Sequence, residues 1–295
     1  MTFRSRGDKI YDAVSSIILG IIIIIMAYPI YFMVIASFSD PTFVNAGKVI
    51  LLPKGIMLDG YKRIFGYSQI WNGYKNTIIY TVLGTSINLC LTLTAGYCFS
   101  RGDFRGRKFF MLLFAFTMFF NGGMIPTYLL VFKLGIKDTI WAMVLPNAAS
   151  VWNIIIARTF FQSNISKELE NAAQIDGCGS IRFFFHIALP LSKALIAVLT
   201  LFYAVGHWNA FFNALIYLES DELYPLQLIL RNILLVNQAA DPSMLGDVQD
   251  MVMFQKLADL IKYGIIVVAA VPVLVLYAFM QKYFIKGVMV GSLKG

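Results

Sequence analysis

The chain has 295 residues, of which 59% are hydrophobic and 14% charged, with a formal net charge of +8. A water-soluble domain carries charge on roughly a quarter of its residues, so this composition excludes an ordinary soluble globule and points to a polytopic membrane protein. The expected fold class is all-α, because a single segment in hydrocarbon satisfies its backbone hydrogen bonds only as a helix.

Six segments are apolar over the roughly 20 residues needed to cross about 30 Å of hydrocarbon. They are residues 14–36, 74–98, 108–132, 140–161, 194–217 and 263–284. The first, VSSIILGIIIIIMAYPIYFMVIA, follows the basic residues Arg4, Arg6 and Lys9, and Val34-Ile35-Ala36 resembles a leader cleavage site. Its apolar run exceeds the roughly 7–15 residues of a leader, so it is read as an uncleaved span. With the N-terminus inside, the inner segments hold 14 of the 24 basic and 6 of the 16 acidic residues. The whole net charge then lies on one face, as expected for cytoplasmic loops. It reports topology, and no nucleic-acid partner is called for. Both termini are expected in the cytoplasm. The chain divides into a first span with its outer loop (1–73), a core (74–284) and a tail (285–295).

Span 2 places Gly84, Asn88, Thr92 and Gly96 four residues apart, on one helix face. Such a stripe either allows close helix packing or lines a pathway. Asn121 and Tyr128 in span 3, Asn147 and Asn153 in span 4, and Trp208, Asn209, Asn213 and Tyr217 in span 5 are further polar or amphipathic groups at membrane depth. Residues of this kind face a pathway or the bundle interior. Amides and phenols exchange hydrogen bonds with sugar hydroxyls and an indole stacks on a sugar ring; interhelical hydrogen bonding is the other use. Between spans 5 and 6, YPLQLILRNILLVNQ reads as an amphipathic or interfacial helix, either a gate, a contact for a docked binding protein, or a lid packed on the outer end of the bundle.

No G-x-x-x-x-G-K-[ST] phosphate loop occurs, and His186 and His207 stand without Cys or carboxylates at ligand spacing. No nucleophile and base pair is recognisable, so the chain is read as non-enzymatic. Cys90 and Cys98 lie in a span and Cys178 in an inner loop, which is no disulfide framework.

The inner loop between spans 4 and 5, with ENAAQIDGCGSIRFFFHIALPLSKA at 170–194, differs from its surroundings. Ser166 is a good N-cap, Glu168 and Glu170 sit near the positive end of the helix dipole, and Gly177 suits a left-handed stop. This predicts a short helix over 167–176, whose Ala172 and Ala173 let another surface approach closely. A second short helix is expected after Gly179-Ser180, with Phe183, Phe184 and Phe185 as apolar anchors and Pro190 at the bend into span 5.

The spacing of Ala172-Ala173, Gly177, Ile187 and Leu189-Pro190 resembles the E-A-A-x3-G-x9-I-x-L-P signature of permease subunits of bacterial binding-protein-dependent ABC importers. ELENAAQIDGCG, NGGMIPTYLLVFKLGIKDTIWAMVLPN and the tail QKYFIKGVMVGSLKG look like the carbohydrate branch. They are similar to the second permease of maltose-type importers and to the complex-oligosaccharide subgroup served by lipoprotein-type binding proteins. Asn171 departs from the pattern, standing where the family usually has Glu.

The resemblance implies a type I importer permease fold in the bacterial cytoplasmic membrane, surrounded by lipid. It implies a second homologous permease, two ATP-binding subunits that hold ATP and Mg, and an extracellular or periplasmic solute-binding protein, with no cofactor on this chain. The implied ATPase-coupling element is 167–190, with Glu168, Glu170, Asn171, Ala172, Ala173, Asp176, Gly177, Ile187, Leu189 and Pro190. Import of a sugar or oligosaccharide is the activity implied. An importer for another solute such as a peptide, and an ATP-independent channel or carrier, are the alternatives; the near absence of acidic residues within the spans argues against ion coupling.

Overall fold

A computed structural model describes the backbone of residues 6–239 and 248–292, with the side chains of 7–235, 256 and 258–282. Among the described residues there is no strand. The helices are α1 (Arg6–Ser37), α2 (Pro41–Asn45), α3 (Asp59–Gly66), α4 (Ser68–Ser100), α5 (Arg107–Phe119), α6 (Met124–Lys133), α7 (Ile140–Val144) and α8 (Val151–Asn164). They continue as α9 (Lys167–Ile175), α10 (Ser180–Phe183), a π-helical turn (Phe184–Ala188), α11 (Leu189–Leu191), α12 (Lys193–Trp208), α13 (Phe211–Tyr217), α14 (Leu226–Ala239) and α15 (Val248–Ser292). The chain forms two compact units, residues 1–68 with 231–270, and 69–230 with 271–295.

In the first unit α1 runs unbroken through Pro29, its isoleucines mostly exposed, as suits a helix surrounded by lipid. The following loop is well structured. Asp40 caps α2 by accepting from the Thr42 N–H at 2.9 Å and pairs with Lys256 of α15 at 2.6 Å. Burial works to raise the Asp40 pKa, but the bonds from Lys256 and Thr42 outweigh it and hold the carboxyl below its ordinary value. Asn45 donates to Asp259 at 2.8 Å. Glycines let α3 and α15 meet: a Cβ on Gly60 would lie 3.1 Å from the Leu260 carbonyl oxygen, and one on Gly264 2.7 Å from Ile64 Cδ1. Residues 37–66 are thereby pinned to the helix that carries span 6.

Among the described residues, three segments are continuous helices long and apolar enough to cross a membrane: Gly7–Ser37, Ser68–Ser100 and Ala258–Lys282. The other three predicted spans are not straight, which corrects the expectation of uninterrupted helices. In span 3, α5 and α6 meet at 111°. The break is Asn121-Gly122-Gly123, where Gly123 takes a φ of +83° and donates its N–H to Asn121 Oδ1 at 3.0 Å. Span 4 is interrupted between α7 and α8, around Pro146. Span 5 is interrupted at Asn209-Ala210, so Asn209, past the end of α12, and Asn213 and Tyr217, on α13, do not share one continuous helix.

The stripe on α4 is a packing seam. A Cβ on Gly84 would fall 2.4 Å from the His207 ring of α12, and one on Gly96 2.6 Å from Ala157 Cβ of α8. Thr92 Oγ1 lies 2.6 Å from the Tyr203 hydroxyl. Asn88, fully buried, donates both amide hydrogens, to the Asn147 and Ala148 carbonyls at 2.7 and 2.8 Å. Its Oδ1 must therefore accept, which makes His207 the donor through Nε2 at 2.7 Å. Carbonyls freed by the interruption of span 4 thus find a partner, as backbone at membrane depth requires.

Apolar clusters hold the two ends of the second unit. At the end near α9, Tyr97, Phe161, Ala173, Phe183, Phe184 and Leu199 pack together. At the far end Tyr80, Met143, Val144, Ala214, Leu218 and Leu228 do so. There the turn before α7 is clipped to the segment after α13: Asp138, at φ +57°, accepts from the N–H groups of Glu219 and Ser220 at 2.8 and 2.9 Å, and Lys137 pairs with Glu219.

Candidate coupling surface and polar clefts

The predicted loop helix forms as α9, one residue shorter than expected, with Asp176 as its C-cap. Ser166 Oγ accepts from the Leu169 N–H at 3.2 Å, satisfying one of the free donors of the first turn. Glu168 takes bonds from its own backbone N–H and from the Ser166 hydroxyl, which hold its carboxyl below the ordinary value. Gly177, at φ +74°, ends the helix, and the Cys178 N–H closes on the Ala173 carbonyl at 2.8 Å.

The two sides of α9 differ. Ala173 is buried in the apolar cluster, whereas Glu168, Asn171, Ala172, Asp176 and Gly177 are exposed and Ile175 is 87% exposed. Glu170 points inward: its carboxylate pairs with Arg101, just past the end of α4. Arg101 also binds Asp103 through Nε and Nη2, at 2.9 and 2.8 Å, and the Tyr97 hydroxyl at 3.0 Å. Asp103 is the leading cause that holds the Arg101 guanidinium further above its usual pKa, and Arg101 in turn lowers Asp103.

Beyond Gly179, Phe183 and Phe184 enter the core and Phe185 stays exposed, so two of the three aromatic anchors serve the chain's own interior. Ile187 and Leu189 are partly buried against the same cluster. The bend into α12, 81°, falls at Ser192 and not at Pro190. Pro190 has no N–H to offer the His186 carbonyl, and the chain widens into the π-helical turn just before it. The Ser192 hydroxyl, fully buried, then donates back to the Ala188 carbonyl at 2.7 Å.

Two clefts open where the spans are interrupted. One, of about 450 Å³, is lined by Asn147, Ser150, Asn153, Tyr203, His207 and Asn213 among others. The second, of about 310 Å³, is lined by Asn121, Thr127, Asn213 and Tyr217. No Asp, Glu, Lys or Arg lines either one among the described residues.

The structure brings Asn121, Asn153, Asn213 and Tyr217 to these clefts. Tyr128 stacks on Tyr217 with ring centres 6.3 Å apart. Asn209 turns away, donating to the Val205 carbonyl at 2.9 Å as it closes α12. Trp208 is buried beside Tyr74, ring centres 6.2 Å apart, and lines neither cleft. His207 and Tyr203 reach the larger cleft without having stood out as candidates; their partners Asn88 and Thr92 on the α4 stripe were the signal. Arg101 carried no such signal, because its partner lies far along the chain. No group of three or more His, Cys, Asp or Glu able to hold a metal occurs among the described residues.

Residues 88–290 match the family model described as the binding-protein-dependent transport system inner membrane component. The chain is 40% identical over 289 residues to the polygalacturonan/rhamnogalacturonan transport system permease protein YtcP of Bacillus subtilis (strain 168), covering 98% of this chain and 99% of that one. It is 38% identical over 292 residues to protein LplC of the same organism, covering 99% and 97%. Among solved structures it is similar to a chain of a bacterial ABC transporter involved in the import of the acidic polysaccharide alginate. That match has a TM-score of 0.83 at 34% identity and covers 96% of this chain and all of the other. The signature in the loop, the all-helical bundle and these matches agree: the chain belongs to the inner membrane components of binding-protein-dependent transport systems, as a multi-pass permease subunit with the type I ABC importer fold.

Proposed function

We propose that this chain forms half of the translocation pathway of an ATP-driven importer for a carbohydrate, most closely an oligosaccharide, and carries no catalytic activity of its own. A second, homologous permease completes the pathway. ATP and Mg are bound on two ATP-binding subunits, and an extracellular or periplasmic binding protein delivers the solute. Residues 167–190 transmit motion from the ATP-binding subunits to the spans. The core, 74–284, carries pathway and coupling loop, while 1–73 and 285–295 flank it.

The observation that carries this reading is the two-sided α9. A capped, stiff helix seats Ala173 on the chain's own core and presents Asn171, Ala172 and Ile175 outward, uncovered by the described residues. That arrangement suits a lever received by a partner's cleft. Carbohydrate as the solute is supported by the relatives named above and by clefts lined with amides and hydroxyls, which match neutral hydroxyl groups. Asn121, Asn153, Asn213 and Tyr217 are the residues assigned to that pathway, with Tyr128 behind Tyr217. Trp208 and Asn209 support its walls.

The test is purification of the tagged chain from its native membrane in mild detergent, with stoichiometry by mass spectrometry. One second permease and two ATP-binding subunits per complex are expected, with Gly177→Val assembling normally yet failing to transport. A homo-oligomer free of ATP-binding subunits, from a preparation in which a known importer stays intact, refutes the proposal.

A further inference from the structure

We propose that Arg101 and Glu170 are positioning residues that lock the coupling helix to the end of span 2, so that α9, α4 and α12 move as one body and the elbow at Ser192 does not hinge. The inference deepens the function proposed above and rests on it.

Three links close a ring. The first is covalent: α9 runs through Gly177, the π-helical turn and the 81° bend into α12. The second is the seam that joins α12 to α4, with His207 seated against Gly84 and Tyr203 bonded to Thr92. The third returns from α4 to α9. Arg101 pairs with Glu170, and the Tyr97 ring packs on Phe184 and Phe183 with centres 4.9 and 6.5 Å apart.

An elbow alone is a natural hinge; an elbow spanned by a strut is not. The strut is built for stiffness. Asp103 takes hydrogen bonds from Nε and Nη2 of Arg101 and the Tyr97 hydroxyl takes one from Nη1, while Glu170 meets Nη1 as an ion pair, its buried Oε1 having no hydrogen-bond donor among the described residues. The Arg101 side chain is 12% and the Glu170 side chain 23% exposed, so the pair is largely withdrawn from water and Glu170 without Arg101 is poorly solvated, whereas Arg101 keeps Asp103. A carboxylate in the first turn of α9 would also be stabilised by the helix dipole while facing water. Glu170 instead faces inward, and the outward side of α9 keeps Glu168.

The test measures rigidity directly. In the purified complex, Cys98 and Cys178 are replaced by Ser, and spin labels are placed on native Cys90 of α4 and on Gln174→Cys at the flank of α9, beside the outward residues, both exposed in this chain. The distance between them is read without nucleotide and after trapping with ATP and vanadate. One narrow distribution with the same centre in both states is expected. Glu170→Gln and Arg101→Met each broaden it about twofold while the ATP-binding subunits still copurify. The double variant is no broader than either single one, as for two groups acting as a unit, and Arg101→Lys stays narrow. A wild-type distance that shifts on trapping, a Glu170→Gln distribution as narrow as wild type, or loss of the ATP-binding subunits from that variant each overturns the inference. Wild type that retains no ATP-binding subunit overturns the proposed function instead, and the nucleotide-free comparison of wild type with Glu170→Gln still decides the strut.

Discussion

Single residues on α4 and at the far-end clip show how little chemistry is needed to fix this bundle. Gly84 is required because its neighbour is a ring: a methyl group there meets His207 at 2.4 Å. Gly206, on α12 itself, has nothing within 4 Å of an added Cβ. Gly84→Ala is therefore expected to destabilise the purified protein by about 1–3 kcal/mol through overpacking. Gly206→Ala should be neutral or slightly stabilising, since Ala favours helix over Gly. Thermal unfolding in detergent compares the two directly. Asp138 makes a different prediction. The Ser220 hydroxyl, then the N–H groups of Ser220 and Glu219, hold its carboxyl below the ordinary value. A carboxyl whose pKa is depressed on folding contributes stability that is complete above its unfolded value, near 4, and is lost as pH falls through the folded value. Unfolding midpoints measured from pH 6 down to 3 should fall in acid for the wild type and fall less steeply for Asp138→Asn.

At the scale of elements, the interruptions of spans 3, 4 and 5 create the polar clefts, and they exist because side chains replace the missing backbone partners. Asn88 is the clearest case, serving two carbonyls and one imidazole at once. Asn88→Ala strands all three groups, at roughly 1–3 kcal/mol for a buried unsatisfied group. It should lower stability by at least about 2 kcal/mol in a denaturant titration, with Asn88→Asp failing to rescue because a carboxylate cannot donate to carbonyls. The apolar runs and the loop helix were legible in the sequence, since hydropathy, Ser166 and Gly177 are local signals. Interruptions were not, because Asn121-Gly122-Gly123 and Pro146 sit inside runs whose average hydropathy stays high. The α4 stripe was legible as a stripe, while its use depended on which helix faced it. Glu170 was legible as a helix-start carboxylate, but its inward direction is set by Arg101, a residue no local pattern connects to it.

For the whole molecule, the charge asymmetry of the sequence and the 111° turn between α5 and α6 pull on the same question, the number of crossings between residues 48 and 178. Basic residues gather at Arg101, Arg105, Arg107 and Lys108 and again around α9, and the positive-inside rule predicts both on the inner side. The exposed Lys48 is then outside, and an odd number of crossings separates it from Cys178. A re-entrant α5–α6 pair would make that number even and bring both to one side. Cys90 and Cys98 lie on the surface of a membrane-spanning helix, where a polar reagent has no access through lipid, so among the native thiols Cys178 is the reporter. In intact cells a membrane-impermeant maleimide should label Lys48→Cys and Leu134→Cys, and should reach Cys178 only after permeabilisation. Labelling of Cys178 from outside together with Lys48→Cys would show that the α5–α6 turn sends the chain back to its own side. Protection of Leu134→Cys in the same cells would locate that return before α7.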